Sequence, residues 1–200
     1  MEERILLKAR DLMFQTGIRQ VTMDGLATQL GMSKKTIYQY YKDKDDLVKA
    51  VVDFELKNHQ QLCLHCESKA DNAVHEMFLV METMKEMTKT MNPGSMMELE
   101  RYFPTAFDII KNHKDEFFLS LIKQNLIKGM EQGFYRSDLD VEILSRYRLE
   151  TIFIPFNLHA FPVTKFDPIK VHTQLMEHFV YGLMTEKGYE IMLQYKQNHS

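Results

Sequence analysis

Between residues 5 and 13 apolar side chains recur at helical spacing. Ile5, Ala9, Leu12 and Met13 fall on one face and polar residues fill the other. The pattern predicts a helix over 3–16, stopped by Gly17. Thr22 stands where an N-cap would open a short second helix that ends near Leu30. Gly31 breaks it, and Ser33 caps a third helix running to about Tyr41. Asp43 suits the N-terminus of a long fourth helix, over about 45–68, where a negative side chain meets the helix dipole. Further helices are predicted over 72–91, 96–112, 115–131, 139–156, 168–185 and 187–196, separated by Gly, Pro and Asn clusters. Pro104 falls inside one of them and should kink or restart it, because proline lacks an N–H and clashes with the preceding turn. No alternating strand pattern with hairpin signals interrupts the series. The expected fold is all-α, with a small N-terminal unit over 1–48 and a larger helical body over 49–200.

Composition adds bounds to this picture. Apolar residues make up 44% of the 200, enough for a core. The first fifty residues hold nine Lys/Arg and seven Asp/Glu, a net of +2, while the whole chain carries -3. An anionic polymer is met more favourably by the first fifty residues than by the rest. Two cysteines, Cys63 and Cys66, provide no disulfide framework. No apolar run approaches the ~18 residues of a membrane span, so a cytoplasmic protein with no membrane partner is expected.

The chemistry concentrates between Thr22 and Tyr41. Two helices crossing steeply need a small residue at the crossing and a tight turn beyond it. Ala27 and Gly31 supply these, with Leu26, Leu30 and Ile37 filling the wedge. The second helix of the pair then offers solvent Ser33, Lys34, Lys35, Thr36, Gln39 and Tyr40. Hydrogen-bonding, cationic and aromatic groups of this kind suit a major groove and its phosphate walls. An isolated Ala-x3-Gly spacing is more often an ordinary helix hairpin, so the flanking residues matter.

Those flanks are Ala9, Phe14 and Gly17, then Thr22, Leu26-Ala27, Gly31-Met32-Ser33, Thr36, Tyr38, Tyr41, Lys44 and Leu47. In this order they resemble the N-terminal domain of the TetR family of bacterial regulators, over roughly 5–52. Gly25, read here as a helix-interior position, departs from the pattern at a cost of about 1 kcal/mol. Tyr41 stands where Phe is commoner. The resemblance implies a helix-turn-helix in which Thr22, Tyr38 and Lys44 contact phosphates. Ser33, Lys34, Lys35, Thr36, Gln39 and Tyr40 would face DNA, some on bases and some on phosphates.

Beyond 52 the likeness is one of helical layout only. It implies a homodimer that reads a palindromic operator in double-stranded DNA, with helices over 138–156 and 168–185 pairing between copies. In the second, Val171, Leu175, Phe179, Gly182 and Leu183 form a stripe at helical spacing. The body should also enclose a pocket for an unknown small-molecule effector. Its expected lining is Phe78, Met81, Met84, Tyr102, Phe103, Phe107, Phe117, Leu121, Tyr147, Phe153 and Phe156, which suits an apolar or aromatic ligand. The expected function is a repressor released by that ligand; an activator is the alternative within the family.

A second alternative uses Cys63 and Cys66. With His59 they share a helix face at i, i+4 and i+7, a spacing compatible with metal or redox sensing, although a closed site needs a fourth ligand. No metal or cofactor is assigned on this basis. No nucleophile elbow, P-loop, zinc-protease motif or Gly-rich dinucleotide turn occurs, so no catalytic residue is assigned and an enzyme is not expected.

Overall fold

The computed structural model describes residues 1–90 and 92–198. Among these the regular structure is helical: α1 Glu2–Thr16, α2 Met23–Leu30, α3 Lys34–Tyr38, α4 Lys44–Lys69, α5 Ala73–Thr90, α6 Ser95–Tyr102, α7 Pro104–His113, α8 Leu119–Glu131, α9 Val141–Thr151, α10 Pro168–Leu183 and α11 Glu186–Asn198. Met91, the expected end of one helix, lies outside the described residues. The expected all-α class is therefore found. The chain divides into two compact units, 1–59 with 90–113, and 60–89 with 114–200. α4 gives its first part to one unit and the remainder to the other.

In the first unit Ile5, Ala9, Leu26, Ile37, Leu47 and Val48 are almost fully buried. α1 thus packs on α2, and α2 in turn on α3, with these apolar residues turned inward. Asp43 caps α4: its Oδ1 accepts from Asp46 N at 2.8 Å, and Asp46 Oδ2 accepts from Lys42 N at 3.1 Å. Pro104 restarts the chain as the first residue of α7 after Phe103 leaves helical geometry at φ -134, ψ 57. The single helix expected over 96–112 is therefore two.

The second unit buries Phe78, Met81, Leu126, Tyr135, Met176, Phe179 and Leu183 in one cluster. At its centre the Tyr135 hydroxyl donates to Asn125 Oδ1 at 3.0 Å or Ala73 O at 3.1 Å, while Asn125 Nδ2 also donates to Ala73 O. A buried hydroxyl and amide are acceptable there because each finds a partner. Gly129 leaves the room for the Tyr135 ring; a Cβ would sit 2.1 Å from it.

Three expectations are corrected in this unit. The helix read over 139–156 ends at Thr151, and Ile154–Phe156 form a separate 3-10 turn around Pro155, whose ring forbids the continuing helix. The helix expected over 115–131 begins instead with a π-helical turn, Lys114–Phe118. The α10 stripe does not stand free: Val171, Phe179 and Leu183 are buried within their own unit and Leu175 half-buried, while Gly182 is exposed. An apolar stripe at helical spacing is satisfied equally by either partner, and here its own core takes most of it.

Candidate nucleic-acid interface

α2 begins because Thr22, in extended conformation, accepts from Gly25 N with its Oγ1 at 3.0 Å. Gly25 is thus in the first turn, three residues after the cap, rather than in the helix interior. A Cβ there would approach Thr22 Oγ1 to 3.1 Å. α2 ends because Gly31 takes φ 64, ψ 35, a left-handed conformation that glycine adopts without steric cost. Met32 N then donates back to Ala27 O at 3.1 Å, closing the turn.

α3 starts at once. Ser33 Oγ accepts from Thr36 N at 3.1 Å and lies 2.8 Å from Thr36 Oγ1. α3 is shorter than its pattern predicts: it stops at Tyr38, and Tyr40 N and Tyr41 N both donate to Ile37 O. Gln39 caps it, so Gln39 and Tyr40 stand in the turn beyond the helix. Tyr41 is drawn into the core at 4% exposure, which ends the helical run.

The exposed face gathers most of the predicted contacts. Ser33, Lys34, Lys35, Tyr38, Gln39 and Tyr40 are exposed, and Thr36 is half-buried. Lys35 forms no ion pair among the described residues. Lys34 is held by Asp24 at 2.7 Å, and that hydrogen bond raises its pKa. Its ammonium also lies 5.8 Å from the Tyr38 ring. Thr22 is exposed at the start of α2.

Lys44 behaves differently. It is half-buried, donates to Arg19 O at 2.9 Å and sits 5.4 Å from the Phe103 ring. Burial pushes its pKa down. An ammonium has three donors, so one bond to a carbonyl leaves two for a phosphate. Arg19 is a cation that sequence reasoning missed. Its N donates to Glu98 Oε2 at 3.1 Å, its Nη1 to Tyr102 Oη at 3.2 Å, and its guanidinium covers the Tyr102 ring at 4.2 Å. The available signal was its place three residues before the Thr22 cap.

The expected effector lining falls into two groups. Tyr102, Phe103 and Phe107 belong to the first unit, each under a cation: Arg19, Lys44 and Lys111 respectively. The other eight belong to the second. Phe78 and Met81 are buried in its core cluster, and Met84 and Leu121 are half-buried. Phe117 meets Phe118 edge-on in the π-helical turn, and Tyr147 is 48% exposed with its ring 6.1 Å from Phe179. Phe153 lies under the Lys114 ammonium, and Phe156 is half-buried in the 3-10 turn.

The cysteine face offers little chemistry. Burial and Cys66 push the Cys63 thiol up to about 12, leaving it protonated, and Cys66 is buried with its Sγ 3.5 Å from Thr83 Oγ1. Among the described residues no group of three His, Cys, Asp or Glu is placed to hold a metal ion.

Residues 5–51 match the family model described as bacterial regulatory proteins, tetR family. A curated relative, the uncharacterized HTH-type transcriptional regulator YvaF of Bacillus subtilis (strain 168), is 35% identical over 114 residues. That stretch is 54% of this chain and 56% of the relative's length, so the match spans little more than half of either. A TetR transcriptional regulator from Chloroflexus aurantiacus has the same fold with TM-score 0.71 at 14% identity, covering 92% of this chain and 95% of that one. The Bacillus subtilis regulator FadR, solved in complex with stearoyl-CoA, gives TM-score 0.68 at 18% identity over 92% of this chain and all of that one.

Proposed function

The chain belongs to the TetR family of bacterial regulatory proteins through residues 5–51, and on that premise we propose that it is a ligand-responsive DNA-binding repressor. It binds a palindromic operator as a homodimer and is released by a small molecule. The single observation that carries the reading is the exposed set Ser33, Lys34, Lys35, Tyr38, Gln39 and Tyr40, presented by a short helix with its cap and the turn beyond it, while the helix's other side, Ile37, is fully buried. Lys, Gln and hydroxyl side chains are the groups that meet base edges and phosphates in a major groove. Residues 1–48 are the DNA-reading domain, and 49–200 bind the effector and dimerise. Two reading helices must reach successive grooves ~34 Å apart, which is the physical reason for a dimer.

Exposed Ile127, Ile143 and Tyr147 in the second unit are apolar surface that a second copy would cover. Regulation by a ligand draws on the FadR likeness, since that protein was solved with stearoyl-CoA. No helix among the described residues is long and apolar enough to cross a membrane, which agrees with a cytoplasmic site of action.

Selection of bound sequences from a random DNA pool tests the reading. A palindrome is the expected result; failure to enrich any sequence overturns it. On the selected operator, Lys35→Ala weakens binding by about 1–3 kcal/mol in anisotropy titrations at fixed salt. Affinity falls steeply with added salt, because phosphate contacts release counterions.

A further inference from the structure

The second unit largely buries an arginine that no carboxylate among the described residues neutralises. Arg148 on α9 is 6% exposed. Among the described residues no carboxylate pairs with it. Burial pushes its pKa down to about 10, and only Tyr147 acts against that. Its guanidinium carbon lies 5.6 Å from the centroid of the Phe179 ring. His172 on α10 is 5% exposed and precedes Phe179 by two helical turns on the same buried face; burial first, then the Arg148 charge, hold its imidazole down to about 4.

Elsewhere the unit pairs its partly buried cations. Lys114 meets Glu150, Lys123 meets Glu142, Lys128 meets Glu76 and Lys196 meets Glu177. Among the described residues Arg148, buried more deeply than these, has no such partner. Withdrawing a charge from water without an opposite charge is among the most costly arrangements open to a side chain. The face of Phe179 compensates only in part. The arrangement makes chemical sense when an anion arrives from outside the chain.

We propose that Arg148 and His172 form the anion-recognising end of the effector site, so that the effector is an amphipathic anion. Its carboxylate, phosphate or sulfonate meets the Arg148 guanidinium and the His172 ring N–H, and its apolar body lies against Phe179. This rests on the reading of the protein as a ligand-responsive regulator, and it replaces a purely apolar effector with a charged one.

The backbone beside Arg148 suits entry. α9 ends at Thr151, three residues beyond, and is followed by the 3-10 turn at Pro155 and irregular chain to Asp167. The π-helical turn is tied to the same place, since Lys114 bonds Glu150 at 2.8 Å and lies over Phe153 at 5.7 Å. Such turns recur at functional sites because they disturb the regular backbone pairing.

Two fluorescent probes with nearly the same aromatic body test the proposal: 1-anilinonaphthalene-8-sulfonate, which is anionic, and N-phenyl-1-naphthylamine, which is neutral. Titrated into the full chain, the sulfonate should bind once per chain and about ten-fold or more tighter than the neutral probe. Arg148→Met should abolish that preference while keeping the neutral probe's affinity. Arg148→Lys should retain it, and His172→Gln should weaken it several-fold. Arg148→Met should also melt at or above the wild-type temperature, because it removes a charge lacking a counter-charge.

Equal affinity for the two probes overturns the proposal, as does a preference that survives in Arg148→Met. A destabilised or unfolded Arg148→Met would mean that the guanidinium already has its partner, and a dimer falling to monomer would put that partner's carboxylate on a second copy; either result also overturns it. Operator binding measured in the same samples separates this proposal from the regulatory reading. Loss of the probe preference with operator binding intact sinks the anion site alone. An Arg148-dependent preference that never alters operator affinity keeps the site and sinks ligand control.

Discussion

Replacing Ser33 separates two roles that one hydroxyl plays. Its Oγ accepts from Thr36 N at 3.1 Å, satisfying one of the first N–H groups of α3. α3 has only five residues, too few to hold a helix by propensity, so it depends on this cap and on the burial of Ile37. Ser33→Ala should therefore cost about 1 kcal/mol, within the roughly 0.5–2 kcal/mol range of lost caps. Part of that loss appears as fraying of the reading helix, so operator affinity should fall too. Ser33→Asp keeps an acceptor and adds a negative charge at a helix N-terminus, so stability should match or exceed wild type. The same carboxylate would face DNA phosphates, so its operator affinity should fall further than that of the alanine variant. Urea unfolding followed by circular dichroism reads the first quantity, and fluorescence anisotropy at fixed salt reads the second. The reasoning fails if Ser33→Ala unfolds within about 0.3 kcal/mol of wild type, well short of a lost cap. It fails equally if the aspartate is as unstable as the alanine.

Two further outcomes concern the body. Gly129→Ala should destabilise by about 2–4 kcal/mol in urea unfolding: the added Cβ meets the buried Tyr135 ring at 2.1 Å, and overpacking plus strained Tyr135 hydrogen bonds outweigh the roughly 1 kcal/mol helix gain; a variant as stable as wild type would show that the ring moves freely. Stability should also fall with acid. His59, lowered by burial and His113, and His172, lowered by burial and Arg148, sit at about 4 when folded, against 6.5 as their ordinary value. Between those values the unfolded chain binds more protons, so stability is full above about pH 6.5 and declines toward pH 4, by at most about 1.4 kcal/mol per pH unit for each histidine. His59→Gln and His172→Gln should each flatten that slope, whereas a wild-type curve already flat from pH 7 to 5 would refute the assignment.

Much of the N-terminal helical unit was legible in the chain because its determinants are local. Thr22, Gly31 and Ser33 act within four residues of themselves, through caps and one left-handed turn, and each does in the fold what its type and position imply. Pro104 likewise restarts a helix wherever it is placed. Pro155 carries the same local signal, and the helix expected over 139–156 overruns α9 by five residues at that end. Periodicity could say that α10 has an apolar stripe, but not what covers it; Val171, Phe179 and Leu183 turn out to face their own core.

Long-range placement had no local signature at all. Arg19 meets Glu98 and Tyr102 across some eighty residues, and nothing in its own neighbours announces that partnership. The expected effector lining mixed residues of two units because an aromatic or Met reads the same in either. Arg148 and His172 lie 24 positions apart, as an ordinary polar residue and a lone histidine. Only the tertiary packing of the second unit buries both, and it is that burial which turns them from surface chemistry into a candidate site.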